Sequence, residues 1–180
     1  MIAQRKAVPA ALAWWRALQP DPETRRAGDR AALARLRRCT SVAEAMQDPA
    51  SIALFRRAGS SNPDDLPIIA LAASVLAQVR KDAPGVPVAR QIGPDDPDHP
   101  ETARMSQLRF RRLLETATPD ERLIAFRRLV AFADGALDLR DLATALLGWT
   151  EEQRRRWVYD YWDAGRPAAD TTPLAEDTAP

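Results

Sequence analysis

The sequence is poor in the residues from which many active sites are built. Its 180 residues include one cysteine, Cys39, and one histidine, His99. A single cysteine excludes an intrachain disulfide and a metal cage made of cysteines. No apolar run approaches the ~20 residues that span a bilayer. The first residues, interrupted by Pro9, lack the long apolar core of a signal peptide. We therefore expect a cytoplasmic protein that needs neither a cofactor nor a membrane.

Motifs of enzyme active sites are missing as well. The sequence contains no GxxxxGK[ST], GxGxxG, HExxH or GxSxG pattern. The segment GPDDPDHPE carries Asp95, Asp96, Asp98 and His99, which are legitimate metal ligands. No helical frame fixes their geometry, so a solvated acidic loop is the favoured interpretation and no metal site is predicted. We expect no catalysis; an enzyme that uses His99 and the nearby acids is the weakest of the functional hypotheses.

Lysine is also scarce, because only Lys6 and Lys81 of the 26 basic residues are lysines and the other 24 are arginines. The arginine side chain presents a planar fork that fits phosphate and stacks on bases. Codon bias in a GC-rich genome is an equally good explanation for this excess. The net charge of +1 conceals a basic first part, since residues 1–57 carry 11 basic and 5 acidic groups. The charge pattern thus permits local binding of an anionic partner.

Helical signals fill the first part of the chain. Apolar spacing and caps predict helices that begin near Pro9 and Gly28, after Ser41 and Asp48, and at Leu66. No convincing β-strand is found. We predict an all-α protein of two small helical bundles, with an N-terminal domain over residues 8–81.

The amino-acid composition changes in the segment of residues 82–103. It holds five prolines, two glycines and many acids, and this density of breakers predicts a long loop without a helix. A C-terminal bundle of four helices is predicted over residues 104–164, with caps at Thr118, Asp138 and Thr150. Residues 165–180 are rich in Pro, Ala and acids, which predicts a disordered tail.

Arginine clusters are the one concentrated chemical feature. The sequences RFRRLL and AFRRLV place arginine pairs on a predicted hairpin whose inner seam would be Leu108, Leu113, Leu114, Leu123, Phe126 and Val130. Rows of arginines on helices are able to track a phosphate backbone, but acids within a turn or two could equally make these rows a solvated face. From the residues alone, a nucleic-acid-binding subunit and a helical protein–protein adaptor remain nearly equal hypotheses.

The order of the motifs resembles a known family. The segments ALAWWRAL, ALARLRR and ALFRRAG, a Pro/Gly-rich break, SQLRFRRLL, LDLRDLATALLGW and RRRWVYDYW follow one another over roughly residues 10–163. This series is similar to the CasB family, the small subunit of the type I-E CRISPR effector complex called Cascade.

The resemblance implies an all-helical, non-catalytic subunit. CasB-like proteins associate as two copies along the crRNA-bearing backbone, contact the backbone subunits and the large subunit, and help to hold the target DNA strand and the displaced strand. Mapped motif by motif, the family's basic surface implies nucleic-acid contacts by nine arginines: Arg37, Arg38, Arg109, Arg112, Arg127 and Arg128, with Arg16, Arg56 and Arg57 as further candidates. The near-neutral total charge restricts any such binding to a local patch.

Overall fold

Helices dominate the computed structural model, which describes residues 4–21, 23, 25 and 27–165. Within these residues the chain forms ten α-helices: α1 Gln4–Leu18, α2 Arg30–Arg38, α3 Val42–Gln47, α4 Pro49–Arg57, α5 Leu66–Leu76, α6 Val88–Ile92, α7 Gln107–Leu114, α8 Pro119–Phe132, α9 Leu139–Leu147 and α10 Glu151–Tyr161. The all-α prediction is confirmed. None of the helices in this described part has both the length and the apolar character needed to cross a bilayer. The predicted disordered tail, apart from Gly165, lies outside the described residues.

The caps expected from the sequence begin five of the helices. The side chains of Ser41, Asp48, Thr118, Asp138 and Thr150 each accept a hydrogen bond from a backbone N–H in the first turn of the helix that follows. At Thr118 the Glu121 carboxylate also accepts from the Thr118 backbone, which completes a reciprocal capping box. These local bonds satisfy N–H groups that have no partner within the helix.

The first helix starts earlier than expected. It begins at Gln4 rather than near Pro9, and Pro9 lies inside it. Proline removes one backbone hydrogen bond from a helix interior. The preceding turn nevertheless buries Ala7 and Val8 in the core, and this burial favours the longer helix.

Helix α5 lies at the centre of the core, and eight of its eleven residues are buried. It packs against α3 and α4 from the first half of the chain and against α8 and α9 from the second half, while α1 packs against α9. One hydrophobic cluster therefore includes residues from both halves. The division into domains at residues 8–81 and 104–164 stays a prediction about folding units.

The segment of residues 82–103 is more ordered than predicted. Helix α6 forms there and buries Val88, Ala89 and Ile92 against α10, so the expectation of no helix is wrong. A two-residue strand, β1 (Lys81–Asp82), pairs in parallel with β2 (Ala136–Leu137), which corrects the expectation of no strand. Burial stabilises α6 and backbone pairing with β2 holds β1, and local propensity alone specifies neither contact.

The predicted hairpin seam is correct in all but one position. Leu113, Leu123, Phe126 and Val130 are buried and Leu114 is partly buried, whereas Leu108 is 47% exposed. Phe110 occupies the inner face of α7 instead, and its ring stacks on Tyr161 of α10 with centroids 4.0 Å apart. Leu108 therefore belongs to the outer surface of α7.

Candidate nucleic-acid interface

Helices α7 and α8 border an open groove with a volume of about 750 Å³. Arg109 and Arg112 reach it from α7 and Arg128 reaches it from α8. The spacing of three residues places the two α7 arginines on one row of that helix. We call this feature the α7–α8 groove; its lining also includes Met105, Leu113, Glu115, Thr116, Glu121, Ile124, Ala125 and Phe132.

The three arginines of the groove keep their donors available. Arg112 and Arg128 are exposed and form no hydrogen bond or ion pair with any residue that the structure describes. The Arg109 Cζ atom lies over the Phe132 ring, 5.2 Å from the ring centroid, in a cation–π arrangement. Three guanidinium groups in one groove therefore offer donors that fit a phosphate.

Two carboxylates also line the groove, but each has partners of its own. Glu121 accepts from the backbone N–H groups of Ala117 and Thr118 at 2.9 and 3.2 Å, and these bonds lower the pKa of its carboxyl group. Glu115 lies 3.8 Å from Arg111. Glu121 is thus held by the backbone and Glu115 is paired with Arg111, so neither carboxylate is paired with an arginine of the groove.

Arg127 has a different environment from its neighbour Arg128. Its guanidinium donates to the carbonyl oxygens of Cys39 and Leu36, at 2.5 and 2.8 Å, and to Ser74 Oγ at 2.7 Å. Burial lowers the pKa of the Arg127 guanidinium. These carbonyls belong to the C-terminal end of α2, where a cation satisfies acceptors that the helix leaves without partners. The geometry thus places Arg127 as a brace between α8 and α2.

Arg37 and Arg38 lie at the same end of α2 and are exposed. Arg37 donates through Nε to the Ala77 carbonyl at 2.6 Å, so part of its guanidinium is engaged. Arg38 has no hydrogen bond or ion pair within the described ranges. The two residues form a second basic surface outside the groove lining, which we call the α2 end.

The remaining candidates lie on other elements. Arg16 of α1 is 3.4 Å from the Asp82 carboxylate, and Arg56 and Arg57 are exposed at the end of α4. None of the three lines the α7–α8 groove. The structure therefore brings together Arg109, Arg112 and Arg128, and distributes the other six predicted residues over different surfaces.

The hypothesis of an enzyme depends on His99 and the acids near it. The His99 side chain is exposed and its Nδ1 lies 3.1 Å from Glu101 Oε1. No group of three or more His, Cys, Asp or Glu side chains in the described part of the chain is arranged to hold a metal ion. Asp95, Asp98 and His99 are exposed in this loop, and Asp96 is partly exposed.

The apolar residues of the groove were not among the predicted site residues. Ile124 and Phe132 line it from α8 together with Arg128, at intervals of four residues along one stripe of the helix. That spacing is visible in the sequence IAFRRLVAF and would have identified the stripe. It does not reveal that the stripe faces α7 across an open groove.

Comparison with known proteins identifies the family. Residues 32–162 match the sequence model of CRISPR-associated protein Cse2. The chain belongs to the Cse2 family. CasB is another name for this family, so the resemblance of the motif series is confirmed.

A solved structure has the same fold. The chain is similar, with a TM-score of 0.61 and 22% sequence identity, to a chain in the crystal structure of E. coli Cascade bound to a PAM-containing dsDNA target. The match covers 83% of this chain and 92% of the E. coli chain. A comparison with curated proteins gave no match. At this identity the structural likeness establishes the shared architecture of the two chains.

Proposed function

We propose that this Cse2 family member is a non-catalytic subunit of a type I-E Cascade complex and holds nucleic-acid strands through arginine-rich surfaces. Its partners would be the backbone and large subunits, the crRNA, the target DNA and a second copy of this chain. The observation that carries the proposal is the convergence of Arg109, Arg112 and Arg128 in one open groove. The family match and the fold shared with a Cascade chain supply the biological setting.

The chemistry of the groove suits a strand that has already been selected by base pairing. Guanidinium groups bind phosphate without regard to sequence, and in RNA-guided complexes the guide reads the sequence while the protein holds the backbone. Binding through such contacts weakens as salt rises, with a slope of about −0.7 per phosphate contact for single strands. We therefore expect binding that is blind to sequence and sensitive to ionic strength.

The arginines divide into three roles in this proposal. Arg112 and Arg128 bind phosphate in the α7–α8 groove, with Arg109 beside them. The α2 end, Arg37 and Arg38, forms a second contact with a strand, to which Arg16, Arg56 and Arg57 would add from α1 and α4. Arg127 contributes indirectly, since its guanidinium is engaged by the end of α2.

The decisive experiment compares two double variants in the assembled complex. Arg112→Ala/Arg128→Ala removes two groove cations, and Arg140→Ala/Arg155→Ala removes two exposed arginines that lie outside the groove lining. We expect the groove variant to assemble normally but to protect the displaced strand less well from nuclease, with the salt slope reduced in magnitude by about 1.4. The control variant should behave as the wild type. Equal protection by both variants would refute the proposal.

A helical protein–protein adaptor is the second candidate. A smaller groove of about 310 Å³ lies between α7 and α10 and is bordered by the exposed apolar residues Leu108 and Val158 and by Trp162. Exposed apolar surface of this kind is typical of protein contacts. If Arg112→Ala/Arg128→Ala prevents assembly while the isolated variant remains folded, the arginines pair with acids of partner proteins and the adaptor function is favoured.

A further inference from the structure

The floor of the α7–α8 groove is apolar, which phosphate binding alone does not require. Ile124 is 48% exposed in the groove, and Phe132 and Met105 also line it. A site for phosphate alone needs polar donors. Between the arginines, this groove instead offers an aliphatic side chain and an aromatic ring to whatever enters it. A ligand that matches the whole groove combines anionic groups with a flat apolar face.

The guanidinium of Arg109 differs from those of Arg112 and Arg128 because it lies over an aromatic ring. Its Cζ atom lies over the Phe132 ring, 5.2 Å from the ring centroid. Nucleobases stack on arginine planes and on aromatic rings in many proteins that bind single strands. The supported guanidinium therefore provides a platform for a base, and Ile124, about two turns from Phe132 along α8, adds apolar surface farther along the groove.

Three residues of α8 that line the groove alternate between apolar and positively charged side chains. Ile124, Arg128 and Phe132 follow one another at intervals of four residues, which is about 6 Å along the helix axis. The cation thus lies between two apolar groups on one face of the helix. A single strand presents the same alternation, because its phosphates flank bases that are free to turn out of the stack.

We propose that the α7–α8 groove binds an unpaired nucleobase on Arg109, whose guanidinium is supported by Phe132, while Arg112 and Arg128 hold the flanking phosphates. This inference rests on the proposed function and narrows its ligand to single-stranded nucleic acid. Duplex DNA keeps its bases stacked and paired, so it presents its phosphates to the groove but no free base face. The charge complementarity between the arginines and the phosphates selects a nucleic-acid strand rather than an uncharged apolar ligand.

The test separates contacts to bases from contacts to phosphates. The full chain is titrated at low ionic strength with fluorescently labelled oligothymidylate and with an abasic strand of equal length and charge, and binding is followed by anisotropy. Because stacking contributes about 1–3 kcal/mol per base, we expect the abasic strand to bind at least about fivefold more weakly. An oligouridylate strand and its abasic counterpart distinguish RNA from DNA as the source of the base, and base-dependent binding in either pair supports the proposal.

Two variants test whether the base is bound in the α7–α8 groove. Arg109→Lys keeps the charge but loses the planar group, so binding of the base-containing strand should fall towards that of the abasic strand, while abasic binding stays unchanged. Ile124→Ser should have the same direction of effect. Leu108→Ser is the matched control, since Leu108 is equally exposed on α7 but lies outside the groove lining.

The outcomes distinguish this inference from the proposed function. Equal binding of base-containing and abasic strands by the wild type would overturn the base site and leave phosphate binding intact. Undetectable binding of every strand at low ionic strength would overturn both. Loss of base-dependent binding in Leu108→Ser, but not in Arg109→Lys, would place the base on another surface and also overturn the inference.

Discussion

Replacing Arg127 by alanine tests whether this residue supports the fold or grips a ligand. Its guanidinium makes three hydrogen bonds, to the carbonyl oxygens of Leu36 and Cys39 and to Ser74 Oγ. The Ser74 hydroxyl itself donates to the Leu36 carbonyl at 2.9 Å. Arg127→Ala therefore removes the only donor that the structure shows for the Cys39 carbonyl among the described residues, and one of two donors to the Leu36 carbonyl.

The expected cost follows from these bonds. A hydrogen bond to a charged group contributes about 1.5–3 kcal/mol, and an acceptor left without a partner loses its desolvation energy as well. The Arg127 side chain is only partly buried, so water replaces some of the lost contacts. We expect Arg127→Ala to lower the free energy of unfolding by about 2–4 kcal/mol.

Urea unfolding followed by circular dichroism measures this change, with Arg128→Ala as the matched control. Arg128 is the next residue on the same helix, is exposed and has no partner in the described part of the chain, so its replacement should alter the free energy of unfolding by less than about 0.5 kcal/mol. If Arg127→Ala is as stable as the wild type but no longer binds the strand, Arg127 does not brace α8 against α2. It is then a phosphate ligand.

Two further predictions concern contacts between the segment of residues 82–103 and the rest of the chain. The Asp141 carboxylate accepts a hydrogen bond from the Val88 N–H at 2.8 Å. Burial raises the pKa of this carboxyl group above its ordinary value of 3.8. The folded state then binds more protons than the unfolded state between that value and the raised pKa, so the wild type should gain stability as pH falls through this window. Asp141→Asn should show a smaller gain in urea unfolding at a series of pH values, and an equal gain would assign the effect to other groups. A Cβ at Gly93 would collide with the carbonyl oxygen of Tyr161, so Gly93→Ala should cost about 1–3 kcal/mol in the same assay, whereas Val86→Ala, exposed in the same segment, should be nearly neutral.

Local signals explain why the positions of most helices along the chain were predictable. Caps such as Asp48, Thr118 and Asp138 act within one turn of the helix that they begin, so neighbouring residues contain the necessary information. The same signals failed in residues 82–103, where breakers predicted a loop. Helix α6 exists there because Val88 and Ile92 are buried against α10, a contact between residues that are distant in sequence.

The candidate site was only partly predictable for a similar reason. The sequence identified the arginine pairs, but adjacent helical residues point about 100° apart. Arg127 and Arg128 are therefore equivalent as a pattern and opposite in environment, one braced against α2 and one open to the groove. On α7, Leu108 was expected to be buried but is exposed, and Phe110 is buried in its place. The buried face of α7 is the one that contacts Tyr161 of α10. Periodicity fixes which residues share a face, and only packing decides where that face is directed.

Arg127 and Arg128 together connect the two basic surfaces of the proposed interface, the α2 end and the α7–α8 groove. Arg127 ties α8 to the end of α2, which carries Arg37 and Arg38, while Arg128 on the same helix lines the groove. Loosening the brace would let the α2 end move relative to the groove, and strand binding would weaken without any loss of a phosphate contact. Weaker binding by Arg127→Ala is therefore evidence of direct contact only when the free energy of unfolding is unchanged, whereas for Arg128→Ala weaker binding points to the groove itself.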